Sequence, residues 1–93
     1  MKVIVKVPGQ PGELREFPDE INEKLRALQM AVGGWIEPVR LSEKLVAIVD
    51  EEGRLKQKRP NVFGLLGTIV FCGLGEEDYN DLPQDDPLLL EVI

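Results

Sequence analysis

The first hydrophobic pattern in the chain has period two. Val3, Val5 and Val7 alternate with Lys2, Ile4 and Lys6, which predicts a half-buried β-strand. Pro8-Gly9-Gln10-Pro11-Gly12 supplies a turn, because proline withholds donors and glycine opens the backbone. Residues 13–17 then predict a short second strand that completes a hairpin. After Pro18 the period becomes helical. Ile21, Leu25, Leu28 and Val32 fall at i, i+4, i+7 and i+11, opposed by Glu20, Glu23, Lys24 and Gln29. That apolar stripe is expected to face a sheet. Asp19 is the candidate N-cap, and Gly33 is placed to end the helix in the left-handed conformation.

The pattern then returns to β. Residues 35–39 read as a strand that Pro38 confines to an edge or a bulge. Residues 44–49 are almost continuously apolar, so burial on both faces is expected. Asp50-Glu51-Glu52-Gly53 reads as a hairpin loop with Gly53 at a positive φ, and Arg54-Leu55 as the start of the return strand. Residues 56–64 read as an exposed loop and 68–72 as the last core strand, ended by Gly73-Leu74-Gly75. The acidic stretch 76–83 has room for one helical turn around Tyr79 and Leu82. The sum is an α+β, two-layer domain, one helix packed on a mostly antiparallel sheet of four to five strands. It is expected to span 1–82, with an acidic and then apolar C-terminal extension over 83–93.

Composition mainly excludes. The chain has 93 residues, no histidine, one serine (Ser42), one threonine (Thr68) and one cysteine (Cys72). A Ser-His-Asp or Cys-His nucleophile system cannot be assembled from that set. Neither can a thiolate or imidazole zinc site, so no metal and no cofactor are expected. Any acid–base chemistry would fall to carboxylates, lysines or Tyr79, and a non-enzymatic role is expected. The longest apolar runs, 45–49 and 69–72, are far short of a membrane span. With no export signal and no possible internal disulfide, a cytoplasmic location is expected.

Charge is unevenly placed. Residues 1–75 hold all 11 lysines and arginines and are nearly neutral, while 76–93 hold seven acids and no base. The formal charge of −6 therefore belongs to the C-terminal stretch. Nucleic acid is not an expected partner, since a duplex-binding protein normally shows a basic face.

Several blocks share an order and spacing with a known family. Leu28-Gln29-x-x-Val32-Gly33-Gly34-x-Ile36-Glu37 comes first, followed by Asp50-Glu51-Glu52-Gly53-x-Leu55 and Pro60-Asn61. Gly67-Thr68 then opens an apolar strand ending in Gly73. Over roughly 2–82 the chain resembles the domain of unknown function numbered 3846. The resemblance implies a small accessory protein of a phage, plasmid or other mobile element in a bacterial cytoplasm. It carries over no catalytic residue.

Four features are candidates for chemistry. Gly33-Gly34 reads as a helix stop and tight turn before it reads as a ligand-approach point. Trp35 and Glu37 would point to the same strand face and offer a stacking surface beside an acceptor, but a tryptophan covering a core edge beside a solvated glutamate is the favoured reading. Arg54, Lys56, Lys58 and Arg59 concentrate four positive charges ahead of Asn61, a candidate cradle for a phosphate or other small anion. No glycine-rich loop leads into a helix there, and the alternative is a solvated loop. Charge reversal at Lys56, Lys58 and Arg59 is expected to leave stability unchanged. Gly73-Leu74-Gly75 is similar to the start of a dinucleotide fingerprint, but Asp78 occupies the third glycine position. The acids of 76–86 lack the spacing of a calcium loop.

The leading expectation is an accessory domain that binds a protein or a small anionic ligand through Trp35, Glu37, Arg54, Lys56, Lys58, Arg59 and Asn61. The alternative is an acidic inhibitor that imitates nucleic acid through 76–86 and blocks a host DNA-binding or defence protein. The apolar end must be covered. A homodimer through Leu88, Leu89, Leu90, Val92 and Ile93 is expected, with docking on the chain's own sheet as the alternative.

Overall fold

The computed structural model describes residues 1–92. Its strands are β1 (Lys2–Lys6), β2 (Glu13–Glu16), β3 (Ile36–Arg40), β4 (Leu45–Asp50), β5 (Ile69–Leu74) and β6 (Tyr79–Asn80), with one helix, α1 (Ile21–Val32). They form one sheet in the order β2-β1-β5-β4-β3, antiparallel at each pairing, with β6 paired to the end of β5. This is the expected α+β arrangement with one strand more than the four to five expected. The extra strand is β6, where a helical turn around Tyr79 was expected. Extended backbone wins there because Asp78, just before it, is drawn to Lys24 on α1: the Lys24 Nζ lies 2.8 Å from both Asp78 Oδ2 and the Tyr79 carbonyl oxygen.

The same contact sets the helix's rotation. The buried positions of α1 are Lys24, Leu28 and Val32, not the full stripe of Ile21, Leu25, Leu28 and Val32. Leu28 is 0% exposed, whereas Leu25 is 42% and Ile21 60% exposed. A lysine takes an inner position because an acceptor pair waits beneath it, and two apolar residues are turned to the flank. The cap also moves by one residue. Glu20 caps α1, its carboxylate accepting from the Glu23 N–H at 2.8 Å, while Asp19 receives the Met1 amine at 2.9 Å. Gly33 ends the helix as expected, at φ 84°, donating to the Gln29 carbonyl.

Both faces of the sheet are covered. Val3, Val5, Val46, Ile48, Val70 and Cys72 pack against Leu28 and Val32 of α1. On the other face Ile4, Leu45, Ala47, Val49, Ile69 and Phe71 are buried under irregular chain. β1 is therefore buried on both faces rather than half-buried, and β4 is buried on both faces as expected. The second cover comes from two short 3-10 turns, Val62–Gly64 and Pro87–Glu91. Phe63 meets Phe71 edge-on, with ring centroids 6.1 Å apart.

This corrects the reading of the C-terminal segment. Leu89 and Val92 are buried in the chain's own second cluster, with Leu88 packed against it, so those residues are not offered to a second copy. Asp86 fixes the turn by accepting from the Leu88 N–H at 3.0 Å and the Ser42 hydroxyl at 2.5 Å. Leu90 stays exposed; Ile93 lies outside the described residues. Among the described residues, no helix is long and apolar enough to cross a membrane.

Candidate functional site

Asp50 ends β4 with its side chain inside the protein, 1% exposed. Burial of a carboxylate is costly unless charge and hydrogen bonds compensate it. The loop that follows supplies both. Residues 51–58 do not form a return strand from Arg54. They coil through bonds from Gly53 N–H to the Asp50 carbonyl, Lys56 N–H to Glu52 and Lys58 N–H to Gly53. The positive φ expected at Gly53 occurs instead at Gln57, at 54°. That coil returns two lysines to one oxygen: the Nζ atoms of Lys56 and Lys58 each lie 2.7 Å from Asp50 Oδ2. The Glu52 N–H donates to Asp50 Oδ1 at 2.9 Å.

The two amines also close the end of α1. Lys58 Nζ donates to the Val32 carbonyl at 2.5 Å and Lys56 Nζ to the Gly33 carbonyl at 3.1 Å. The last carbonyls of a helix lack internal partners and carry partial negative charge, so cations are favoured there. One knot thus joins the helix end, the β4 end and the loop. Gly34 leaves room for it: a Cβ at that position would sit 2.6 Å from Lys56 Nζ and 2.9 Å from Asp50 Oδ1, so a side chain there would have to displace the ends of the paired groups. Burial alone would raise the Asp50 pKa, but hydrogen bonds from Lys56 and Lys58 outweigh it and hold the group well below its ordinary value of 3.8. The Asp50 hydrogen bond in turn raises Lys56.

The knot distributes the expected site residues into two groups. Lys56 and Lys58 are committed to Asp50 and the helix end. Asn61 is committed to the fold as well, its Nδ2 donating to the carbonyls of Lys6 at 2.9 Å and Gly67 at 2.8 Å, and its Oδ1 accepting from Val62 N–H. Arg59 is exposed on the far side of the loop, near Gly9. Trp35, Glu37 and Arg54 are exposed at one end of the molecule. Glu37 and Arg54 line a cleft of about 380 Å³ with Val39, Val49 and Leu66, between the β3–β4 pair and the loop. Trp35 borders a shallower depression of about 330 Å³ with Gln29, Gly34, Glu52 and Lys56.

Sequence reasoning missed Asp50 as the organiser of this end. Its signal was available: an acid closing an apolar strand, followed by lysines six and eight residues on. Cys72 takes no part, being buried with its thiol pushed up to about 12 by burial. Among the described residues, no group of three or more His, Cys, Asp or Glu is placed to hold a metal ion.

Three of the six acids of 76–86 are also engaged. Asp78 pairs with Lys24, and that hydrogen bond holds its carboxyl below the ordinary value. Asp81 accepts from the Lys2 N–H at 2.9 Å, and Asp86 is bonded to Ser42.

No curated protein and no solved structure matches this chain. Its sequence does match the family described as domain of unknown function (DUF3846), over residues 1–90, a span that reaches Leu90 in the apolar end. The chain belongs to that family.

Proposed function

We propose that the protein is a non-enzymatic accessory module that works by binding another protein through the end that presents Trp35, Glu37 and Arg54. The observation that carries this reading is the state of Trp35. It is 66% exposed, and its backbone is fixed by the Glu51 N–H, which donates to the Trp35 carbonyl at 2.9 Å. A large aromatic group on a mount already ordered by the Asp50 knot loses little freedom on binding. Such groups dominate protein interfaces.

A small anion is the weaker ligand for this end. Lys56 and Lys58, the heart of the expected cradle, are both engaged by Asp50, with Glu52 a further 3.9 Å from Lys56, and Glu37 and Glu51 line the same cleft as Arg54. Imitation of nucleic acid is weaker still, since Asp78, Asp81 and Asp86 serve internal bonds. Service to a phage or other mobile element in a bacterial cytoplasm is part of the proposal and rests on the family resemblance.

Trp35 is the chain's one tryptophan, so its emission reports on this end alone. Capture from a bacterial lysate should yield a protein whose titration shifts that emission. Trp35→Ala should weaken its capture at least about tenfold while leaving the unfolding midpoint nearly unchanged. Equal capture by Trp35→Ala, with emission instead quenched by inorganic phosphate or ATP, would return the site to an anion.

A further inference from the structure

The two edges of the sheet are built differently. In an antiparallel ladder, alternate residues bond to the neighbouring strand and those between turn their N–H and C=O outward. At one edge, the Glu51 N–H bonds to Trp35 and the Leu41 N–H to Leu45. With Glu37 opposite Val49 and Val39 opposite Ala47 between them, the outward positions of β3 are Ile36, Pro38 and Arg40. Pro38 has no N–H to offer, so this edge is closed to a further strand at its centre.

The other edge carries no such block. Phe17 and Met1 exchange both bonds, at 2.8 and 2.7 Å. The register Val3↔Arg15 and Val5↔Glu13 continues that phase. Leu14 and Glu16 therefore turn their N–H and C=O outward. All four residues of β2 are exposed, Leu14 at 68%. Arg15 and Glu13 lie together on one face, Arg15 Nε 3.1 Å from Glu13 Oε1.

We infer that β2 is a self-pairing edge, through which two copies of this chain join antiparallel about a two-fold axis at Leu14 and extend the sheet. The charges select a second copy and its register. With Leu14 opposite Leu14 of the second copy, each Glu13 faces an Arg15 on one side of the sheet, twice by symmetry, and the two leucines cover each other on the other side. The adjacent register that also joins outward-facing groups sets Leu14 opposite Glu16 and Arg15 opposite Arg15, which like-charge repulsion disfavours. Four residues make a small contact, so the dimer is weak and concentration-dependent.

Sedimentation velocity on the full chain, from about 1 to about 500 µM, reads this directly. The expected result is a monomer at the low end and a dimer at the high end. Arg15→Glu should raise the dimer Kd at least about tenfold, and Glu13→Arg combined with Arg15→Glu should bring it back to within about threefold. Leu14→Pro removes an outward donor while leaving the β1–β2 bonds in place, and should also abolish dimerisation with the far-UV spectrum unchanged. A chain that stays monomeric throughout overturns the inference and leaves the edge to a foreign strand or to solvent. A dimer indifferent to Arg15→Glu and to the charge swap also overturns it, whether or not Leu14→Pro folds.

Discussion

Replacing both lysines of the knot, Lys56→Gln with Lys58→Gln, is expected to destabilise the fold severely. Substituting surface lysines normally changes little, and the sequence pattern alone leads to that expectation. Here the amines are the partners of an acid that has nowhere else to turn. Asp50 without them is a buried, unpaired carboxylate, the situation in which breaking an ion pair costs about 3–5 kcal/mol. Urea unfolding of wild type and double variant measures it. The cost is asymmetric: Asp50→Asn should be much milder, because Lys56 and Lys58 are partly exposed and can turn to water.

The pH dependence should separate the same two chains. The Asp50 pKa is depressed in the fold, so its contribution is fully present above its ordinary value of 3.8 and is lost as pH falls through and below it. Wild-type stability should therefore fall in that acid window. In the double lysine variant only the Glu52 N–H still opposes burial, the largest influence on the group, which then pushes it upward. Protonation then relieves the fold, and the gap between the two chains should narrow as the solution is acidified.

Leu28→Ala is expected to cost about 2–5 kcal/mol, because Leu28 is wholly buried between α1 and the sheet. Leu25→Ala should cost less than about 1 kcal/mol, since that side chain is substantially exposed. The pair is a test of helix rotation. Comparable losses at both positions would restore the stripe read from periodicity and displace Lys24 from the interior.

These two predictions also mark where the sequence was legible. Elements that follow from local chemistry emerged: the alternation of β1, the apolar run of β4, the stop at Gly33, the edge position imposed by Pro38. Where the outcome depends on residues far apart in the chain, periodicity misled. Lys24 ranks as an outward residue by type, and it faces inward only because Asp78 and the Tyr79 carbonyl meet it there. The apolar end from Leu88 onward reads as sticky strand because nothing local shows that Ile4 and Phe71 need a cover. In the candidate site, the exposure of Glu37 and Arg54 matched their types, whereas the large aromatic Trp35 is exposed against its type. The fate of Lys56, Lys58 and Asn61 did not match theirs, because their partners lie on β4, the end of α1 and β1.

Lys56 and Lys58 of the basic loop are a brace that mounts Trp35, not free cations. A carbon-detected NMR titration of the side-chain carboxyls and of the lysine Cε atoms tests it. Asp50 is predicted to remain ionised at pH values where exposed aspartates are already protonated, with Lys56 holding its proton above the ordinary 10.5. An Asp50 that titrates at 3.8 or higher, with Lys56 at its ordinary value, would contradict the account.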